Sequence, residues 1–252
     1  MSDYYVGSVA RDGGWLAVTY TVDGFDHAAV FEGVGELWNQ YEESAERIAI
    51  DVPIGLETAS VLRPNERLAR DALGKRAETV TPTPVREAAR KHRYRTAARV
   101  HERKTECALP RRAFERATHI AAVDSFLQAI DEARPVFVEA HPELCYLAFA
   151  GVPMDDPPSG AAGYAERMRT RAEFDRDAPP TVQSAAEATA GFSIPIPAVV
   201  DAVALGLTVR PGPGSVRSLP ADPPTDDRGF PMRYVYRSDT ALAAPDRQDA
   251  HP

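Results

Sequence analysis

Three carboxylates occupy positions in the sequence where chemistry is expected. Asp51 follows the apolar run Ile48–Ile50 and precedes a proline-glycine break at residues 53–55, and Glu139 ends a second short apolar run. Asp201 lies in an otherwise apolar segment of helical length. Short apolar runs are typical of buried parallel strands, whose carboxyl ends form the ligand-binding edge of an α/β sheet. We therefore expect Asp51 and Glu139 to lie at that edge.

Carboxylates in such places need a partner, because an ionised carboxylate in a low-dielectric interior must be paired, bind a cation or take up a proton. Two to four carboxylates together suit Mg²⁺ or Mn²⁺, which accept oxygen ligands and leave positions open for phosphate and water. Two such ions can activate a water for phosphodiester hydrolysis. Asp51, Glu139 and Asp201 are thus predicted to be catalytic residues and metal ligands, with Mg²⁺ or Mn²⁺ as the cofactor. The structural alternative for each is a helix cap or an ion pair with arginine.

Two further residues follow the second predicted strand. His141 is a candidate catalytic base, or it could orient a neighbouring carboxylate. Since Pro142 comes next, the turn could equally fix His141 with its ring hydrogen-bonded to the backbone. Glu143 could be a further metal ligand or could form an ion pair with a nearby arginine. The sequence leaves these alternatives open.

The charge is distributed unevenly along the chain. The net charge is −8, yet residues 63–116 carry 16 of the 29 Lys and Arg residues and only 7 acids. Most of these basic residues are arginines, whose planar guanidinium binds phosphate or carboxylate through two parallel hydrogen bonds. The segment is either an anion-binding surface or a solvated helix face.

Hydrophobic periodicity and turn residues predict an α/β fold. Strands are expected over residues 4–10, 15–22, 28–31, 48–52, 136–139 and 229–236. Helices are expected over residues 35–47, 64–73, 85–106, 110–133, 164–174, 178–190 and 196–209, and a loop over residues 211–224. The first three strands follow one another directly, so they should form an antiparallel meander.

Length and composition favour one domain with a mobile end. We expect a single domain over residues 1–237, with a basic helical insertion over residues 63–133 and a disordered tail over residues 238–252. The longest apolar runs fall short of the roughly 18 residues that a membrane span needs. The two cysteines are too few for a disulfide framework, and the N-terminus lacks signal-peptide features. No membrane partner is expected, and the expected location is cytoplasmic.

Several motifs together resemble a known family. They are Gly13-Gly14-Trp15, Ile50-Asp51-Val52-Pro53-Ile54-Gly55-Leu56, the segment with Arg63, Arg67, Ala69-Arg70, Leu73-Gly74 and Arg76, Pro84-Val85-Arg86, Glu139-Ala140-His141-Pro142-Glu143 and Asp201-Ala202. They span residues 5–237 and resemble the predicted-nuclease family catalogued as domain of unknown function 429. The resemblance implies a ribonuclease H-like fold: a mixed five-stranded sheet, in which an antiparallel three-strand meander is joined by parallel strands, flanked by helices.

The sequence departs from the family at one position. Members usually carry an aspartate on the first strand, just before the Gly-Gly-Trp turn, and in the superfamily that aspartate commonly bridges both metals. Here the corresponding place falls at Ser8 or Val9, and Asp3 and Asp12 would need a shift in position to replace it. The resemblance therefore implies an incomplete acidic site.

Three functional hypotheses follow. The first is a divergent metal-dependent nuclease or phosphodiesterase acting on nucleic acid. Its catalytic residues would be Asp51, Glu139, Asp201 and His141, and its substrate-phosphate ligands Arg63, Arg67, Arg70, Arg76 and Arg86. The second is a catalytically inactive module of the same fold that binds nucleic acid or a phosphorylated partner through residues 63–116. The third, a small-molecule phosphotransferase, ranks last because no Gly-x-x-x-x-Gly-Lys-Ser/Thr motif occurs.

Overall fold

A mixed five-stranded sheet forms the centre of the protein, whose computed structural model describes residues 3–242. The strands are β1 (Tyr4–Arg11), β2 (Gly14–Thr21), β3 (Gly24–Phe31), β4 (Ala45–Ile50) and β5 (Phe137–Glu139). Their order in the sheet is β3-β2-β1-β4-β5. The β1–β2 and β2–β3 pairs are antiparallel, whereas β1–β4 and β4–β5 are parallel. The predicted mixed sheet is thus confirmed.

Helices cover both faces of the sheet and form most of the connections. They are α1 (Val34–Tyr41), α2 (Pro64–Leu73), α3 (Arg86–Ala89), α4 (Tyr94–Thr105), α5 (Arg111–Glu115), α6 (Ala117–Ala129), α7 (Pro142–Ala150), α8 (Ala161–Phe174), α9 (Ala178–Ala188) and α10 (Ile196–Val209), with short 3-10 helices at Gly74–Thr79 and Asp131–Ala133. α1 and α6 contribute to the core on one face, and α10 to the core on the other.

Gly7 allows α10 to lie directly against β1. A Cβ atom at this position would meet the Ala202 carbonyl oxygen at 2.1 Å and the Gly206 nitrogen at 2.2 Å. Backbone atoms cannot move aside as a flexible side chain can, so this approach requires glycine in β1. The close approach brings α10, and with it Asp201, towards the edge of the sheet.

Two predicted helices are each divided. The helix expected over residues 85–106 is α3 followed by α4, because Arg93 has an extended backbone (φ −121°, ψ 127°) immediately before α4. The helix expected over residues 110–133 is α5, α6 and a 3-10 turn, with a break at Arg116. The Arg116 side chain turns towards Asp51, a contact between residues 65 positions apart that helical periodicity cannot anticipate.

The C-terminal prediction needs correction. The expected loop over residues 211–224 contains β6 (Ser215–Leu219), which pairs with β7 (Tyr234–Ser238) in a separate two-stranded antiparallel sheet. The prolines on either side of β6 predict a loop. The strand is instead stabilised by its pairing with β7, which is distant in the sequence, so no local pattern indicates it. The tail predicted from residue 238 begins too early, since Ser238 pairs with Ser215. The part of that tail over residues 243–252 lies outside the described residues.

None of the helices in residues 3–242 is both long enough and apolar enough to cross a membrane.

Candidate functional site

Asp51 lies at the carboxyl edge of the sheet, directly after β4. Its Oδ1 accepts a hydrogen bond from the Ala10 backbone N–H at 3.0 Å, and its Oδ2 accepts one from Nη2 of Arg116 at 3.0 Å. The Asp51 N–H in turn donates to the Ser8 carbonyl at 3.3 Å. Asp51 is therefore fixed between the end of β1 and an arginine that sequence reasoning did not single out.

Val9 lies beside Asp51, at one of the two positions where the resemblance led us to expect an aspartate. Ser8 pairs with Ile50 in the parallel β1–β4 ladder, so the next residues, Val9 and Asp51, are neighbours. Val9 is buried in the core that contains α10, whereas the Ser8 hydroxyl donates to the Leu16 carbonyl at 2.9 Å. An apolar side chain thus stands where a metal-bridging carboxylate was expected.

Glu139 is held in a buried pair with Arg63. Nη1 and Nη2 of Arg63 donate to the two carboxylate oxygens at 2.8 and 2.6 Å, and the Ile54 N–H donates to Oε2 at 2.9 Å. Arg63 also donates from Nε to Glu66 at 3.0 Å, and all three charged side chains are buried. Two carboxylates therefore share one guanidinium beside the break after β4.

Glu139 and Asp201 belong to opposite sides of the sheet. Successive side chains of a strand alternate between its two faces. Glu139 follows Phe137 by two residues and shares its α6 side, while Asp201 comes from α10, which packs on the other side. Within the described residues, Asp51, Glu139 and Asp201 do not form a group that could hold a metal ion.

Asp201 and Glu143 are the acids that share the α10 side with Asp51. Burial, together with the negative charges of Asp51 and Glu143, raises the pKa of Asp201 to about 7, against the opposing effect of Arg171 and Arg167. In the described part of the chain, Oδ1 of Asp201 is enclosed and has no hydrogen-bond partner. Asp201 is therefore the one member of the predicted trio that lacks an arginine partner in residues 3–242.

Glu143, from the first turn of α7, is already bound to basic groups. Oε1 accepts a hydrogen bond from Arg167, and Oε2 lies 3.6 Å from Nε of Arg76. Of the two alternatives for Glu143, the structure shows the ion pair with arginine. Oε2 of Glu143 and Nε of Arg76 have no hydrogen-bond partner in the described residues, so their contact is electrostatic only.

Two histidines lie near this edge. Nε2 of His141 lies 3.3 Å from the Thr79 carbonyl oxygen, and burial lowers the His141 pKa to about 4, so the ring is neutral at pH 7. His119 packs edge-on against Trp15, with ring centroids 5.8 Å apart. Burial lowers the pKa of His119, although the negative charge of Asp51 opposes this. Sequence reasoning missed His119, because the only feature that marks it is its place three residues after Arg116, which was not singled out either.

The five arginines predicted to bind substrate phosphate have different surroundings. Arg63 is in the pair with Glu139, and Arg76 lies beside Glu143. Arg86 is buried among three aspartates: Nη2 lies 3.2 Å from Asp124, and further bonds join the guanidinium to Asp226 and Asp227. Arg70 donates to the Val80 carbonyl at 2.8 Å. Arg67 is exposed.

Exposed arginines occur instead on α4 and α5. Arg95, Arg99 and Arg103 are exposed at four-residue spacing on α4 and form what we call the α4 arginine stripe. In residues 3–242, Arg95 and Arg99 form no ion pair and no side-chain hydrogen bond, and Arg103 lies 3.8 Å from Glu87. Arg111 of α5 stacks over the ring of Tyr94 at 4.6 Å, at the start of α4. Arg95 and Arg99 of the stripe thus present positive charge to solvent without an acidic partner in the described residues.

The acids at the edge do not fit a shared Mg²⁺ or Mn²⁺ site. No group of three or more His, Cys, Asp or Glu side chains within the described residues is arranged to hold a metal ion. Asp51, Glu139 and Glu143 instead have arginine partners: Arg116, Arg63 and Arg167. The positive charge at this edge is thus supplied by guanidinium groups of the chain itself.

Comparison with known proteins gives a family. The model of the family described as "Protein of unknown function (DUF429)" matches residues 3–225. No curated protein and no solved structure matches the chain significantly. Because the match covers most of the 252 residues, the protein belongs to the DUF429 family.

Proposed function

We propose that this protein binds nucleic acid through the arginines of residues 63–116 and does not hydrolyse it. One observation carries the proposal: the arginines at the sheet edge are engaged by carboxylates, whereas the α4 arginine stripe is exposed, and its members Arg95 and Arg99 lack acidic partners in the described residues. Phosphate groups of a nucleic acid would supply the missing negative charge.

The proposed fold is ribonuclease H-like, with residues 63–133 as a basic helical insertion. The order of elements supports it: three antiparallel strands, a helix, the strand that leads to Asp51, a later parallel strand ending in Glu139 and a final long helix carrying Asp201. This is the order on which the resemblance to a predicted-nuclease family rests. The helices α2 to α6 form the connection between the two parallel strands.

The distribution of charge supports a polyanionic partner. A chain with net charge −8 repels nucleic acid over most of its surface, so binding requires a local concentration of positive charge. The α4 arginine stripe lies in the segment that provides it. The four-residue spacing of Arg95, Arg99 and Arg103 keeps them within one side of the helix, where they can contact successive phosphates of one strand. Glu102 lies on the same side but forms no ion pair with them.

The rival hypothesis is a metal-dependent nuclease, and the site geometry favours it less. Val9 contributes no oxygen ligand, and Glu139 lies on the α6 side of the sheet, whereas Asp201 comes from α10 on the other side. A cation shared by Asp51, Glu139 and Asp201 would require Glu139 to leave the bidentate bonds with Arg63. Breaking a buried ion pair costs about 3–5 kcal/mol. Mg²⁺ or Mn²⁺ binding is therefore not part of the proposed function.

The affinity of the protein for a labelled single-stranded RNA or DNA should fall steeply as the salt concentration rises. The fall should be the same with and without EDTA, since the proposed binding needs no divalent metal. For single strands the slope of log K against log salt is roughly 0.7 per phosphate contact. The double variant Arg95→Gln, Arg99→Gln should therefore show weaker binding and a slope shallower by roughly 1.4, which fluorescence anisotropy measures.

The matched control is Arg169→Gln, Arg176→Gln, which removes the same charge from exposed positions on and just after α8. This control should bind as the wild type does. Binding that is independent of salt, or equally reduced in both double variants, would reject the α4 stripe as the binding surface.

A further inference from the structure

A second cluster of arginines lines a pocket at the other end of the sheet. The pocket has a volume of about 400 Å³ and includes Arg47 of β4, Arg217 of β6 and Arg233, which immediately precedes β7. Pockets that bind small organic molecules span roughly 300–1,000 Å³. Arg47 precedes Asp51 by four residues along the strand, which separates the two regions by roughly 13 Å. The pocket is therefore distinct from the sheet edge described above.

The positive charges in this pocket repel one another. Arg233 forms no ion pair and no side-chain hydrogen bond within residues 3–242. Its burial lowers its pKa, and the charge of Arg47 lowers the pKa further. The one acid among the lining residues is Glu46, which is exposed. A bound anion between Arg47 and Arg233 would relieve this repulsion.

The pocket also offers neutral hydrogen-bond donors. Oγ of Ser218 is enclosed and has no hydrogen-bond partner in the described residues. Tyr5 contributes a hydroxyl, and burial raises its pKa, so that it keeps its proton at neutral pH. A buried hydroxyl without a partner is costly unless a ligand or water satisfies it. Ser218 therefore adds to the wall of the pocket a polar group that no described residue satisfies.

The remaining walls are apolar, formed by Val138, Val209, Val216 and Val235. These valines come from both sheets and from the end of α10. Val138, Val209 and Val235 are buried in the core, whereas Val216 is 48% exposed. An organic group attached to the anion would cover Val216 and gain hydrophobic stabilisation, which inorganic phosphate alone would not.

We propose that this pocket binds a small organic molecule that carries a phosphate monoester. Three arginines against one glutamate match a group with close to two negative charges better than a carboxylate with one. Arg217 is already positioned, since its Nε and Nη2 donate to the backbone carbonyls of Ser238 and Asp239 at 3.0 and 2.6 Å. Its remaining N–H groups are available to the phosphate. This site does not depend on nucleic-acid binding at the α4 stripe.

The test is calorimetric titration of the full chain with adenosine 5′-monophosphate and ribose 5-phosphate, compared with adenosine, ribose and inorganic phosphate. At least one ester should bind more tightly than inorganic phosphate, and adenosine and ribose should not bind measurably. Arg233→Gln and Arg47→Gln should each weaken ester binding about tenfold or more, because each removes a charge-assisted hydrogen bond.

The double variant Arg95→Gln, Arg99→Gln is the matched control and should bind the esters as the wild type does. Circular dichroism and melting curves establish that each variant is folded. The proposal is overturned if neither ester binds, if inorganic phosphate binds as tightly as both esters, or if folded Arg233→Gln and Arg47→Gln proteins retain wild-type affinity. Loss of ester binding in the control would assign these ligands to the α4 arginine stripe and would also overturn the proposal.

Discussion

Replacing Arg63 by methionine is expected to lower the free energy of unfolding by about 3–5 kcal/mol. The guanidinium of Arg63 is shared by Glu139 and Glu66, and all three side chains are buried. Methionine is similar in length but carries no charge, so both carboxylates would remain in the interior without their cation. Chemical denaturation at neutral pH measures the loss.

Two further variants separate charge from packing. Arg67→Met, on the same helix but exposed, should change stability by no more than about 0.5 kcal/mol. Adding Glu139→Gln to Arg63→Met should recover part of the loss, because one of the two stranded charges is removed. An Arg63→Met protein as stable as the wild type would show that the pair with Glu139 does not stabilise the fold.

The Asp201→Asn variant is expected to be more stable than the wild type at pH 8. The folded protein raises the pKa of Asp201 from its ordinary value near 4 to about 7, mainly through burial and then through Asp51 and Glu143. Ionisation is therefore harder in the folded than in the unfolded state, so stability falls as pH rises from about 4 to about 7 and then levels off. The shift corresponds to a cost of up to about 4 kcal/mol above pH 7, which Asn removes.

The dependence on pH provides the check. The gain from Asp201→Asn should shrink as the pH falls towards 4 and should vanish below pH 4, where the wild-type side chain becomes protonated in both states. Asp175→Asn is the control, because Asp175 is paired with Arg210 at 2.8 Å and its loss should bring no gain at any pH. Equal stability of wild type and Asp201→Asn at pH 8 would contradict this assignment of charge.

Local patterns predicted the central sheet well. Strands β1 to β3 are joined by tight turns at Asp12-Gly13 and Val22-Asp23, and Gly13 has φ 80°, which a turn with glycine anticipates. The run Ile48–Ile50 forms a parallel strand because its residues are apolar on both faces. These features depend on residues close together in sequence.

The candidate site was less predictable because it depends on which face each side chain occupies. The sequence places Asp51 and Glu139 at the ends of neighbouring strands, yet Glu139 faces the α6 side of the sheet, away from α10 and Asp201. The partners Arg116 and Arg63 were equally hidden. Arg116 lies in a helix break, and Arg63 is one of many arginines in the basic segment.

Sequence reasoning also weighed Ser8 and Val9 equally as the place of the missing aspartate. The parallel register makes Val9 the neighbour of Asp51, on the side of α10. A register between strands separated by about 40 residues is set by packing across the sheet, and no local pattern reports it.

Binding without hydrolysis is tested most directly by following one end-labelled strand of RNA or DNA through a complex with the protein. The strand is incubated with purified protein and Mn²⁺ or Mg²⁺, the complex is recovered, and the strand is then resolved on a denaturing gel. We predict that the strand is recovered bound and at full length, with or without EDTA. Fragments that require the metal and disappear in the Asp51→Asn variant would contradict the account and would identify the protein as a nuclease.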